Sequence, residues 1–185
     1  MTPQLEKARR YAAQWERFRQ EGTGLLLFGD VGTGKTYAAC CIANALMERG
    51  ISALCVGLSD VVNRMQGNFG ADRDKYMKAL LAPELLVLDD LGAERSTSTG
   101  RERVFDVIDR RVLSGKPMLI TTNLPLAAMR KPALLEEQRI YDRILSACVP
   151  IRFAGESFRR QSAAQRVQTA AALLLDPAEG ANSAK

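Results

Sequence analysis

Between an apolar run over residues 25–28 and a helix-like run over 36–49 lie Gly29-Asp30-Val31-Gly32-Thr33-Gly34-Lys35-Thr36, which follow the pattern G-x-x-x-x-G-K-[ST]. The order strand, loop, helix turns that spacing into a phosphate site. The glycines let the backbone curl so that its N–H groups point inward, and the positive end of the next helix adds to their field. Lys35 can reach β- and γ-phosphate oxygens, and the Thr36 hydroxyl can ligate Mg²⁺. The loop implies a nucleoside triphosphate. Tyr37, the next residue, belongs to the expected nucleotide site.

The rest of the chain repeats the alternation. Strands are expected over 25–28, 52–56, 85–88, 118–121 and 149–153, and helices over 3–20, 35–49, 58–65, 72–81, 101–114 and 134–147. Such a βα order implies a parallel sheet covered on both faces. At 185 residues the chain is most simply one domain. It comprises an N-terminal helix over 3–20, a core over 24–153, a C-terminal helix over 156–175 and a disordered tail over 176–185.

No apolar run approaches the length needed to span a bilayer, and the N-terminus lacks a secretion signal, so no membrane partner and a cytoplasmic location are expected. Cys40, Cys41, Cys55 and Cys148 form no C-x-x-C pair and read as small buried hydrophobes. The chain holds no histidine, so acid–base chemistry must rest on carboxylates.

Carboxylates stand where they are needed. The run Leu85-Leu86-Val87-Leu88-Asp89-Asp90 is a buried strand ending in two acids. Asp89 would lie beside Mg²⁺ and Asp90 would polarise the attacking water. A second apolar strand, Met118-Leu119-Ile120-Thr121-Thr122, delivers Asn123 toward the γ-phosphate, or else Asn123 caps the turn before Pro125. Arg139 and Arg143 sit at helical spacing; either could meet a neighbouring subunit's phosphate or form a solvated face.

Basic residues cluster twice: Arg64, Arg73, Lys75 and Lys78 beside Phe69 and Tyr76, and Arg101, Arg103, Arg110 and Arg111 on one helix. Aromatic stacking with phosphate neutralisation is how single strands are held without sequence reading. The apolar stripe Val104, Phe105, Ile108, Val112 leaves open that the second set is only a wet helix face.

Together these residues resemble the AAA+ ATPase domain of bacterial and phage replicative-helicase loaders, the DnaC-like proteins, and the closely similar IstB transposition helper ATPases. The matching stretches are GLLLFGDVGTGKT from Gly24, CIANAL from Cys41, LLVLDDLGAER from Leu85, TTNL from Thr121 and RIYDRI from Arg139. The resemblance covers residues 11–160. It implies an α/β, ASCE-type P-loop NTPase with a five-stranded parallel sheet of order 5-1-4-3-2 and a reduced or absent lid. It also implies ATP held at a boundary between self-assembling subunits, single-stranded DNA as ligand and a hexameric replicative helicase as partner. By resemblance Lys35 and Thr36 hold phosphates and metal, Asp89 is the Walker B metal residue, Asp90 activates water and Asn123 is sensor 1. Arg143 matches the arginine finger, and Arg159 or Arg160 a second sensor.

Three departures bear on function. Loaders carry an N-terminal helicase-gripping region, and this chain begins almost at the ATPase domain. No full lid follows residue 153. Asp90 stands where many relatives carry Glu, one methylene longer, so slow turnover is expected, with Glu94 a substitute acid. The competing readings are a transposition helper on duplex DNA, a nearly non-hydrolysing ATP-gated adaptor and a small-molecule kinase.

Overall fold

Leu25, Leu27, Leu85, Val87 and Leu119 face one way and Leu26, Leu86, Leu88 and Ile120 the other, as period-two alternation demands, and every one of them is buried. A computed structural model of the chain, which describes residues 2–67, 70–93 and 97–175, gives the reason. Strands β1 (Gly24–Gly29), β2 (Ala53–Gly57), β3 (Leu85–Leu91), β4 (Met118–Thr122) and β5 (Cys148–Phe153) pair in parallel in the order β2-β3-β4-β1-β5. This is the order expected from the sequence, read from the other edge. Pro150 sits in β5, at an edge, where a missing N–H is tolerated.

Helices α1 (Pro3–Ala13) and α3 (Lys35–Met47) cover the first face. Ala38, Ala39 and Ala43 of α3 are fully buried, and their small side chains allow it to lie close on the sheet. The second face is covered by α4 (Leu58–Gly67), α5 (Ala71–Leu81), α6 (Ser98–Leu113) and α8 (Leu135–Ala147). After β5 the described residues hold one helix, α9 (Phe158–Leu175).

Several expectations change. The helix expected over 3–20 is two, α1 and α2 (Trp15–Gln20), which meet at Gln14 (φ −102°, ψ 24°). Beyond the bend the buried Trp15 stands edge-on to Tyr11, and the Tyr11 hydroxyl donates to the Thr23 carbonyl. A short helix, α7 (Leu126–Arg130), follows Pro125; at five residues it is too short to leave a periodicity. Cys148 is buried, but Cys55 on edge strand β2 is exposed and is no core residue. The expected tail over 176–185, together with Phe69 and Glu94, lies outside the described residues.

Arg111 is the sharpest correction. It is 0% exposed rather than part of a wet helix face. Its guanidinium donates to the carbonyls of Leu81, Pro83, Glu84 and Pro117, at 2.7–3.2 Å. These carbonyls stand where α5 ends and where β3 and β4 begin, at the sheet end opposite the phosphate loop. Burial pulls the Arg111 guanidinium down to about 10, still charged at neutral pH.

Candidate nucleotide-binding site

The loop after β1 turns on glycines that no other residue replaces easily. Gly32 (φ 82°) lies against the Ser157 side chain, and Gly34 (φ 92°) is the left-handed residue from which α3 starts. The Thr33 hydroxyl donates to the Asp30 carbonyl at 2.8 Å. Inside this curl Lys35 is buried, and its ammonium donates to the carbonyls of Gly29 (2.9 Å) and Asp30 (2.7 Å). Burial pushes the Lys35 ammonium below its ordinary value, against the raising effect of Asp90, Asp30 and Asp89; the nearby Arg159 adds to the lowering.

Alternation along the strands brings the rest. Leu85-Val87-Asp89 and Leu119-Thr121 all point toward α3, whose first turn carries Thr36. The Thr36 hydroxyl donates to Asp89 Oδ1 at 2.9 Å, and the Thr121 hydroxyl donates to the same oxygen at 2.6 Å. Asp90 takes φ 66°, the one left-handed non-glycine among the described residues. Its backbone N–H donates to Thr121 Oγ1 (2.9 Å), and its Oδ1 accepts from Asn123 Nδ2 (3.2 Å). Thr36 and Asp89 offer hard oxygen ligands side by side and could hold a divalent cation such as Mg²⁺.

These groups open on a cavity of about 840 Å³, within the range that encloses a nucleotide-sized ligand. One wall is residues 31–37 with Asp89, Asp90, Thr121 and Asn123. The other wall is Thr2, Gln4 and Leu5, the turn after β5, and Phe158 and Arg159 at the start of α9. The Phe158 N–H donates to the Gly32 carbonyl, so α9 begins on the loop itself.

The structure thus gathers Lys35, Thr36, Tyr37, Asp89, Asp90, Asn123 and Arg159 at one cavity. Arg160 lines a neighbouring cavity with Asp30 and Glu156. Arg143 is apart from both, in an ion pair with Asp109 of α6 at 2.8 Å. Arg139 lies over the Phe105 ring at 4.4 Å.

Of the basic residues, Arg64 stacks on Tyr76 at 5.2 Å, while Arg73 and Arg110 both pair with Asp106, at 3.2 and 2.7 Å. Lys75 and Lys78 are exposed. Sequence reasoning missed Thr121, Asp109, Phe158 and the α1 residues of the cavity wall. Only Thr121 left a signal, its place two residues before Asn123 and hence on the strand's same side.

A parallel sheet of this order, with a phosphate loop after β1 and acids at the end of β3, defines the AAA+ type of P-loop fold. Residues 13–166 match the family model of the IstB-like ATP binding protein, and the chain belongs to that family. It is 32% identical over 140 residues to the uncharacterized protein YdaV of Escherichia coli K12, covering 74% of this chain and 55% of that one. It is 30% identical over 159 residues to the replicative helicase loader DnaC of the same strain, covering 84% of this chain and 62% of that one. The crystal structure of DnaI superposes with a TM-score of 0.70 at 25% identity, over 83% of this chain and 87% of that one. The chain therefore spans little more than half the length of these curated relatives. No helix among the described residues is long and apolar enough to cross a membrane.

Proposed function

We propose that the chain is a cytoplasmic ATPase of DNA replication that binds and slowly hydrolyses ATP, binds single-stranded DNA and acts in loading a hexameric replicative helicase. The observation that carries the hydrolytic reading is the hydrogen-bonded set Thr36–Asp89–Thr121 and Asp90–Asn123 at one end of the cavity.

In this reading Lys35 leaves the loop carbonyls for the β- and γ-phosphate oxygens, and the loop N–H groups cradle the phosphates. Thr36 and Asp89 would hold Mg²⁺, which when bound neutralises phosphate charge. Asp90 accepts a proton from the attacking water, and Asn123 orients both. Arg143 acts on the γ-phosphate of a neighbouring subunit, so the site is completed by self-assembly. Arg159, beside Lys35, serves as the second sensor.

The DNA reading is supported by the exposed Arg64, Lys75 and Lys78 near Tyr76, and by the similarity to replicative helicase loaders. The family's IstB-like character favours the second reading, a transposition helper on duplex DNA; strand preference separates the two. The deciding experiment is ATPase rate per subunit against protein concentration, with and without single-stranded DNA. A rate that rises with both supports shared sites on a strand-binding ATPase. A flat, low rate that DNA leaves unchanged overturns the hydrolytic reading in favour of an ATP-gated adaptor.

A further inference from the structure

Strand geometry alone does not aim both acids at the cavity. β3 and β4 run in step from Leu86↔Met118 to Leu88↔Ile120, and then β3 advances three residues while β4 advances two before Leu91↔Thr122. The extra residue is a β-bulge, a device that re-aims side chains next to sites. It leaves Asp90 left-handed, where a residue with a Cβ resides only when its surroundings hold it.

The side chain that spans the bulge is Thr121, which is 1% exposed. Its single hydroxyl hydrogen goes to Asp89 Oδ1 at 2.6 Å, and a lone pair of the same oxygen accepts the Asp90 N–H at 2.9 Å. One buried hydroxyl therefore grips the carboxylate of the first acid and the backbone of the second. Branching at Cβ restricts its rotamer and so fixes that oxygen's position.

We propose that Thr121 is the positioning residue of the acid pair. It seats the Asp89 carboxylate beside the Thr36 hydroxyl and pins Asp90 in the conformation from which its carboxylate meets Asn123. The catalytic consequence rests on the hydrolytic reading above; the clamp itself does not.

The test compares wild type with Thr121→Val, which is isosteric but lacks the hydroxyl, and Thr121→Ser, which restores it. Thr121→Ala replaces the valine variant if the latter does not fold. In Thr121→Val the Asp90 amide, followed by NMR hydrogen exchange, should lose at least about tenfold in protection as its acceptor disappears. The Mg²⁺ concentration giving half-maximal binding of a non-hydrolysable ATP analogue should rise about tenfold, the usual penalty for losing an outer partner of a metal ligand. Turnover should fall by a similar factor, and Thr121→Ser should recover most of each loss.

An Asp90 amide as protected in Thr121→Val as in wild type overturns the proposal. So does a Thr121→Ser protein as impaired as the valine variant, since that outcome reports packing. If wild type hydrolyses no ATP but the amide and Mg²⁺ shifts appear, the hydrolytic reading fails and the clamp stands. If wild type binds no nucleotide at all, the amide exchange alone decides.

Discussion

Arg143 on α8 and Asp109 on α6 form an ion pair at 2.8 Å, away from the cavity that Lys35 and Asp89 line. The pair is partly solvated, so it should contribute less than about 1 kcal/mol to stability. Arg143→Ala is therefore expected to melt within a few degrees of wild type and to bind ATP normally, while turnover falls at least about 100-fold if the arginine works in trans. Mixing it with Asp90→Asn provides the check: each variant supplies what the other lacks, so the mixture should exceed the sum of the two.

Lys35 separates binding from folding. Its folded pKa is depressed by burial below the ordinary 10.5, so between those two values the unfolded chain binds the extra proton. Stability should therefore rise with pH through that window in wild type, and the rise should shrink in Lys35→Met. The same substitution should abolish ATP binding by calorimetry while leaving the melting temperature at neutral pH equal to or above that of wild type.

Asp90 trades stability for its position. A left-handed Asp carries about 1 kcal/mol of backbone strain, and glycine carries none. Asp90→Gly should stabilise the apo protein by about 0.5–1 kcal/mol in urea titrations while turnover is lost. Asp90→Asn should keep ATP binding and lose hydrolysis; equal loss of both would give Asp90 a metal-holding role instead.

The loop, the Asp89-Asp90 pair and Asn123 were legible in the sequence because each motif carries its geometry with it, a few residues long and bounded by a recognisable strand. The sheet order came from the family resemblance that those motifs carry, since the alternation of strands and helices alone gives a parallel sheet without its order. Thr121 was not legible as a clamp, since its partners lie more than 30 residues away across a bulge that no local pattern announces. Arg111 failed for a similar reason. In a helix it looks like its solvated neighbour Arg110, and what distinguishes it is four carbonyls from residues 81–84 and 117. The bend at Gln14 has no proline or glycine to mark it.

Arg111→Met should be the most damaging single change in the fold. It keeps the aliphatic volume but strands carbonyls at the end of α5 and the starts of β3 and β4, a loss of about 3 kcal/mol or more. Arg111→Lys, with fewer donors in a different geometry, should recover only part of this in chemical denaturation.

Single-strand binding should be tested through its salt dependence. Each neutralised phosphate contributes about 0.7 to the slope of log affinity against log salt. Combined substitution of Arg64, Lys75 and Lys78 by alanine should thus flatten the slope by about 2. An unchanged slope would move the strand elsewhere on the surface.

Leu88 and Asp89, like Ile120 and Thr121, are consecutive residues on opposite faces of the sheet, one committed to the core and the next to the cavity. Chemistry and core are thus written in a single reading frame along the strand. A one-residue deletion ahead of Asp89 would slip that frame, moving Asp89 into the core-facing place of Leu88, Asp90 into that of Asp89 and Leu91 into that of Asp90 beside Asn123. Such a lesion buries a carboxylate among apolar side chains, so its first cost falls on folding rather than on chemistry.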